Sequence, residues 1–494
     1  MNLLVVGAAL ISASLAFVRW WRVAQREHYL AGSVSVFAGR WARFHGNPIL
    51  VVLALGGLIT SIWWWGGSLI TCGAVALFPR CLGLRGRTSK TAWTGRMKRL
   101  SVVSGMLVAG LIVIGYWWPV AAATAVMAIP VVTDLTLFLL EPLERSFGNK
   151  WVDQAAATLG RSGVRVVGIT GSFGKTGTKV ITAHLLNAYA PTVASPASFN
   201  NRMGLAKAVN EHLVAGTEIF VAEMGTYGPG EIADLVSWIP PEVAVMTAIG
   251  PVHLERMKAE ARIAEAKREI LSRAKVGVIS IDHPELARIA AEEADRIRIV
   301  TVSSVNPNAE VFVGHDTVAV NGQELGRFEI RVHEMNLGCA VGVVVAMGFD
   351  VERVVPLLGT IPEVPHRQTV NLSPSGVFII DDTFNSNPAG AKAALETLSE
   401  TGEGRRIVVT PGMVELGSIQ FIENLTFAQE SAAVADTLVI VGETNRKALV
   451  EGAQSGGSSV IVKPTREAAV EWVRENLRPG DAVLYENDLP DHYA

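Results

Sequence analysis

The stretch VVGITGSFGKTGTK, residues 166–179, carries the clearest chemistry in the chain. It reads as a buried strand over 164–169, a glycine-rich turn, and a helix that opens at Lys175-Thr176. Such a turn points the bare backbone N–H groups of Thr170, Gly171, Ser172 and Gly174, together with a helix N-terminus, at a polyphosphate. Lys175 would neutralise β- and γ-phosphate charge, and the Thr176 hydroxyl would ligate Mg²⁺. The spacing departs from the general G-x-x-x-x-G-K-[ST] form, because Ile169 holds the place of the first glycine. The bland alternative is an ordinary glycine turn, which a Gly-Lys-Thr after a five-residue apolar strand seldom is.

Four further groups follow. Glu223 ends the apolar run EIFVAEMG, and a carboxylate at the edge of a parallel strand is where a phosphate site needs a second metal ligand. His253-Leu-Glu255 follows VAVMTAIG and sets an imidazole beside the same edge, although histidine is also a common satisfied loop residue. Lys267 lies in the amphipathic run ARIAEAKREIL; on its residues alone it reads as a solvated lysine pairing with glutamates at helical spacing. Asp381-Asp382-Thr-Phe-Asn385-Ser-Asn387-Pro388 closes a strand with carboxylates and amides. Such clusters line sites in open α/β sheets, and the same residue types also cap helices.

The elements that must position these groups alternate from Trp151 onward, the mark of α/β architecture with a parallel sheet. Strands are expected at 164–169, 218–223, 243–247, 276–281 and 297–302, with helices at 175–190, 203–214, 260–274 and 284–294. A second alternation follows Pro362-Glu363-Val364-Pro365, with strands at 377–381, 406–410, 437–441, 460–462 and 482–485. The expected organisation is a transmembrane region over 1–145, a nucleotide-binding domain over 151–350 and a second α/β domain over 351–494, with a proline-punctuated joint near 350–366.

The first 150 residues differ in kind. The chain has 494 residues with only 18% charged, and its mean hydropathy of +0.33 comes from an apolar excess before residue 142. Apolar runs at about 2–18, 48–63, 66–79, 101–116 and 119–140 read as five spans, the middle two short for a span of roughly 20 residues. The first has no basic residue ahead of it and no small-residue cleavage site, so it reads as a retained helix rather than a signal peptide. Arg19, Arg22, Arg26, Arg40 and Arg43, then Arg80, Arg85, Arg87, Lys90, Arg96, Lys98 and Arg99, fall on one side; the uncharged aromatic turns at 63–67 and 116–119 fall on the other. The positive-inside rule then gives an outside N-terminus and a cytoplasmic exit near Arg145, the side on which ATP is found. Asp134 lies inside the last run, where a carboxylate is either functional or reaches interfacial water. A net charge of −3 gives no reason to expect nucleic-acid binding, and three cysteines at unrelated spacings form neither a disulfide framework nor a metal site.

Taken together, GITGSFGKTGTK, SFNNRMGLAKAV, VAEMGTYGPGEIADL, AIGPVHLERMKAEARIAEAKREI, IIDDTFNSNPAGAKAAL and PGMVELG resemble the Mur ligase family, in the family's order and across residues 160–490. The family's T-G-x-x-G-K-T form also accounts for Ile169. The resemblance implies a P-loop central domain and a Rossmann-like C-terminal domain. It also implies ATP and Mg²⁺, and ADP-forming amide synthesis in which a carboxylate is activated as an acyl phosphate and attacked by an amine. It implies that Lys175 and Thr176 hold the phosphates and one Mg²⁺, that Glu223 and His253 hold a second, and that Lys267 is carbamylated to support that metal. Asn336 would lie near the adenine, Arg367 would reach the phosphates, and Asp382, Asn385 and Asn387 would close over nucleotide and substrate.

Two departures shape the expectation. Apolar helices stand where family members carry a soluble domain for the UDP end of the precursor, and the tail reads LYENDLPDHY in place of a Lys-Gly-Ser-Arg-like element. The chain is therefore expected to be a multi-pass, cytoplasm-facing cell-membrane ligase joining a cell-wall peptide carboxylate, lipid-linked first among candidates, to an amino acid or dipeptide. A ligase that elongates a γ-linked polyamino acid for a capsule, and a catalytically silent membrane scaffold, are the alternatives.

Overall fold

In the computed structural model, residues 2–493 are described apart from 45, 87–89, 198, 328–331, 363–368, 385 and 491. The N-terminal region consists of helices Asn2–Arg26, Ser33–Trp41, Asn47–Thr60, Gly66–Leu77, Gly95–Ile114, Pro119–Met127 and Ile129–Ser162. Among the described residues, Asn2–Arg26 and Gly95–Ile114 are long and apolar enough to cross a membrane. Pro119–Met127 and Ile129–Ser162 make a third candidate if this pair, bent by 65°, counts as one. The runs expected as the second and third of five spans form helices of 14 and 12 residues, shorter than a bilayer crossing needs.

Those two helices pack as a tight hairpin because glycines let their backbones meet. A Cβ on Gly67 would lie 2.5 Å from the Gly57 carbonyl oxygen, and one on Gly57 would lie 2.7 Å from that of Gly67. Trp63 and Trp64 project from the tip. Asp134 serves the packing of this region: its carboxylate accepts from the backbone N–H groups of Val34 (3.2 Å) and Ser35 (2.7 Å). It thereby caps the helix Ser33–Trp41, whose N-cap residue, Gly32, has no side chain to do so.

Helix Ile129–Ser162 runs without a break into the first α/β domain and stops at Gly163, which takes a left-handed φ of 64°. Arg145 reaches Asp234 at 2.8 Å, and Arg202 reaches the same carboxylate at 2.5 Å, so the helix is pinned to that domain.

The first domain holds a nine-stranded sheet in the order β2-β3-β1-β4-β5-β6-β7-β8-β9. These are β1 Arg165–Thr170, β2 Thr192–Ala194, β3 Ile219–Glu223, β4 Val243–Met246, β5 Val276–Ser280, β6 Arg298–Ser303, β7 Val311–Val313, β8 Thr317–Val320 and β9 Gln323–Arg327. From β2 to β7 the strands pair in parallel, and β8 and β9 add an antiparallel edge. Apolar clusters cover both faces, as a parallel sheet requires. The strand order reverses beside β1, which makes its C-terminal end the switch point where open α/β sheets bind ligands.

The second sheet runs β10-β11-β15-β12-β13-β14, from β10 Thr369–Leu372, β11 Phe378–Asp382, β12 Arg406–Thr410, β13 Thr437–Val441, β14 Ser459–Lys463 and β15 Ala482–Glu486. All but β10 are parallel. The ten strands expected from sequence are present within a residue or two of the anticipated bounds. The structure adds β2, β7, β8, β9 and β10; all are strands of three to five residues at or near sheet edges, too short for alternation to register.

Candidate active site

At the end of β1 the chain turns through Gly171–Gly174, and Gly174 adopts a φ of 81° before the helix Lys175–Leu186 begins. The turn is packed so closely that side chains are excluded. A Cβ on Gly171 would lie 1.9 Å from the Thr247 hydroxyl; on Gly174 and Gly177 it would lie 2.5 Å from Asn336 Oδ1 and Nδ2. Asn336 therefore seats directly on the turn and accepts from the Thr178 hydroxyl at 3.3 Å. Ser172 is held by Gly250 (Oγ to O, 3.2 Å), and the Thr247 hydroxyl donates to Phe173 O at 2.6 Å. Lys175 Nζ donates to the carbonyls of Gly171 (2.8 Å) and Ser172 (3.1 Å). The Thr170 hydroxyl is buried and has no hydrogen-bond partner among the described residues.

Glu223, at the end of neighbouring β3, is 2% exposed. Its carboxylate takes hydrogen bonds from Thr176 Oγ1 (3.0 Å) and Lys179 Nζ (3.0 Å) through one oxygen, and from Asn200 Nδ2 (3.1 Å) through the other. Burial pushes its pKa up, but Lys179 and then Lys175 outweigh burial and hold the carboxyl ionised, below its ordinary range. Sequence reasoning does not single out Lys179 or Asn200. Both lie in the quoted motifs, Lys179 one helical turn beyond Lys175-Thr176, where an ion pair to a strand-end carboxylate is within reach.

Lys267 corrects the residue-level reading of a solvated lysine. It is 3% exposed, on the inner face of helix Glu260–Arg268, and has no ion-pair or hydrogen-bond partner among the described residues. Burial and the neighbouring charge of Lys175 push its pKa well below the usual lysine value. Both causes favour the uncharged amine, which is the nucleophilic form that carbamylation requires.

His253 stands at the N-cap position of the short helix Leu254–Met257, with a left-handed φ of 58°. Its Nδ1 bonds the carboxylate of Glu415, which arrives from the second α/β domain, and Tyr227 packs edge-on against the ring, with centroids 4.9 Å apart. Glu415 lies within PGMVELG, yet nothing in the spacing shows that it crosses to another domain. The structure thus joins Thr176 to Glu223 directly and gives His253 and Lys267 surroundings of their own. Among the described residues no three His, Cys, Asp or Glu side chains converge as a ready metal cluster.

In the second domain Asp382 ends β11, buried, opposite Glu486 at the end of β15. Glu486 is completely buried and accepts from the hydroxyls of Ser386 and Thr410, the latter at 2.5 Å. Burial first, with the Asp382 charge adding, pushes its carboxyl up to about 7 despite those two hydrogen bonds. Asn387 caps the helix Pro388–Glu400 by accepting from Gly390 N at 3.0 Å, the structural role its residue type allows. Arg367 and Asn385 lie outside the described residues.

The glycine cradle, the orphaned Thr170 hydroxyl, the long-armed ammonium of Lys175 and the Thr176–Glu223 pair together fit a nucleoside triphosphate with Mg²⁺. The family profile of the Mur ligase middle domain matches residues 169–343, and that of the "Mur ligase, glutamate ligase domain" matches 366–485. A UDP-N-acetylmuramoyl-tripeptide–D-alanyl-D-alanine ligase from Mycobacterium leprae is 31% identical over 380 residues, spanning 68% of this chain and 73% of that protein. The enzyme of the same name from Bacillus subtilis is 29% identical, spanning 67% and 74%. Among solved structures, MurF from Acinetobacter baumannii superposes with a TM-score of 0.60 at 22% identity, covering 69% of this chain and 77% of that one. MurF from Thermotoga maritima in complex with ADP has a TM-score of 0.60 at 24% identity, covering 69% and 80%.

Proposed function

The chain belongs to the Mur ligase family, whose members are ADP-forming acid–amino-acid ligases that use ATP with Mg²⁺, and from that premise we propose that it extends a cell-wall peptide precursor at a membrane. The observation that carries the reading is the phosphate turn with Lys175 next to the Thr176–Glu223 pair, and the buried Lys267 within electrostatic reach of Lys175. The N–H groups of the turn and the Lys175 ammonium suit a triphosphate, and the Glu223 carboxylate bonded to Thr176 suits its Mg²⁺.

In this reading the backbone N–H groups of the turn and Lys175, moving off the Gly171 and Ser172 carbonyls, bind the triphosphate of the substrate ATP. Mg²⁺, when bound, supplies the positive charge that lets a phosphate and a carboxylate approach each other. Thr176, Glu223, His253 and, once carbamylated, Lys267 are the residues that would hold it. The acceptor carboxylate attacks the γ-phosphorus and ADP leaves, giving the acyl phosphate. An amine then attacks its carbonyl carbon, and as the amine loses a proton the C–O bond breaks to release phosphate and leave the amide. Asp382, at the end of β11, would meet the incoming substrates from the second domain.

The names of the relatives make a muramoyl peptide carboxylate and a D-alanyl-D-alanine-like dipeptide the first acceptor and amine to test. The N-terminal helices favour a lipid-linked acceptor. Two of them are long and apolar enough to span, the exposed tryptophans Trp63, Trp64, Trp117 and Trp118 sit at chain turns, and the arginines lie at the other ends. That arrangement supports an anchor with both α/β domains on the cytoplasmic side.

The test is ADP release by the full chain in detergent with matched acceptors and amines. Turnover stimulated by lipid-linked but not UDP-linked muropeptide is expected. Turnover with the UDP-linked acceptor alone would replace the lipid reading, and no turnover with any pair would overturn the ligase reading.

A further inference from the structure

The N-terminal helices do more than lie beside the catalytic domains. Directly after the first helix, Glu27 and His28 reach the two groups that flank His253. The His28 ring nitrogen Nε2 meets the Tyr227 hydroxyl at 3.0 Å, and Tyr227 is the ring packed edge-on against His253. Glu27, 6% exposed, accepts from Arg256 Nη2 at 2.8 Å, and that guanidinium lies over the Tyr227 ring, 4.9 Å from its centroid. The same Glu27 carboxylate meets His492 Nε2 at 2.9 Å, so it also holds the C-terminal tail that follows β15.

Three parts of the chain thus converge on one imidazole: Glu415 on its Nδ1, Tyr227 on its edge, and Glu27-His28 behind them. The backbone there is strained as well. His28, Tyr29, His253 and Glu415 all take left-handed φ values, 55°, 60°, 58° and 64°, without being glycine. Such conformations are unfavourable for L-residues and persist only where surrounding contacts over-determine them. A plain anchor has no need of such a turn. A second sphere that must fix a ring does, because the orientation of a metal-binding imidazole is set by what grips its other atoms.

We infer that Glu27 and His28 are positioning residues of the active site, fixing the His253 ring through Arg256 and Tyr227, so that the N-terminal helices complete the catalytic centre. The inference rests on His253 acting as a metal ligand, as proposed above.

It can be tested on the full chain in detergent with Mn²⁺ as the probe, counted by electron paramagnetic resonance in the presence of a non-hydrolysable ATP analogue. His28→Ala and Glu27→Gln are expected to weaken Mn²⁺ binding about 10–100-fold, the usual cost of losing a second-sphere partner. Nucleotide affinity without metal should stay unchanged. Tyr227→Phe, which keeps the ring and removes the hydroxyl that His28 meets, should reproduce the His28→Ala effect. His28→Gln, whose amide can still meet that hydroxyl, should recover most of it, a pattern that general unfolding does not produce. Mn²⁺ binding within twofold of the parent in both His28→Ala and Glu27→Gln overturns the inference. His253→Ala serves as the reference: if it also leaves Mn²⁺ binding intact, the metal-ligand reading fails first. If it alone weakens binding, only the role of Glu27 and His28 fails.

Discussion

In the first 151 residues many large apolar side chains face outward, around an inner apolar cluster that includes Trp20, Met97, Leu100, Ile112 and Ile129. Leu3, Trp63, Met106 and Trp117 are each about 67–79% exposed, while Ser12, Ser68, Thr71, Ser104, Thr133 and Thr136 are buried between helices. In the two α/β domains far fewer large apolar side chains are exposed. Val167, Ile169, Val221, Val245 and Val300 lie fully buried in the first sheet, and Val408, Leu438 and Leu484 in the second. The two regions differ in how much large apolar surface they leave uncovered, since each has a buried apolar cluster. The helices pack through small residues, with the hydroxyls of Ser104, Thr133 and Thr136 bonded back to carbonyls, as well as through their own apolar cluster. The sheets are held by apolar clusters on both faces. Buried charge in the α/β domains is paired or shifted, as with Glu223 at the end of β3 and Lys267 on helix Glu260–Arg268.

Lys175→Ala is the sharpest way to separate the regions. ADP release should fall about 100–1,000-fold, the scale of losing one preorganised charge contact. Thermal unfolding of the helices in detergent should not move, and if both change together the regions are not energetically distinct.

Lys267→Met keeps the buried volume and removes the amine. Turnover should drop about 100-fold while the melting temperature holds or rises, because a desolvated ionisable group is lost from the core. A fall in melting temperature would mean that Lys267 contributes packing rather than chemistry. Carbon-13-labelled bicarbonate should give a carbamate signal in the parent and none in the variant.

Gly67→Val attacks the other region. The added side chain would drive against the Gly57 backbone and should destabilise the helical hairpin by about 1–3 kcal/mol. Protease cleavage near residues 57–67 should report this, with nucleotide binding by the first sheet retained.

Glu486→Gln is the mildest change and is read as a pH effect. The carboxyl titrates near 7 folded, against an ordinary 4.5, so the folded state binds its proton more tightly than the unfolded chain does. Its favourable contribution is complete below about 4.5 and is lost as pH rises through 7. The parent should therefore lose on the order of 1–3 kcal/mol between about pH 5 and pH 8 that the glutamine variant keeps. Identical pH–stability curves would show that Glu486 is ionised throughout.

Much of this arrangement is legible along the chain. Strands Arg406–Thr410 and Thr437–Val441 have the bounds their apolar runs suggest, because a strand buried on both faces must be continuously apolar. The β8–β9 hairpin escapes the strand pattern although Asn321-Gly322 marks it; both residues take the positive φ that such a turn requires. Asp134 falls in the expected helix, but its partner helix begins about 100 positions earlier, and no periodicity reports that pairing.

The amino-acid sequence by itself determined the phosphate turn, the alternation of strands and helices, and the apolar character of the first 150 residues. Each follows from neighbours along the chain, through glycine's access to left-handed φ, backbone hydrogen bonding and side-chain period. Only the tertiary structure decided that Lys267 is buried with its pKa pushed down, that His253 answers to Glu415 162 positions away, and that Tyr227 is held by His28 199 positions away. Desolvation and ion pairing depend on what lies within a few ångströms in space, and the chain order does not encode that distance.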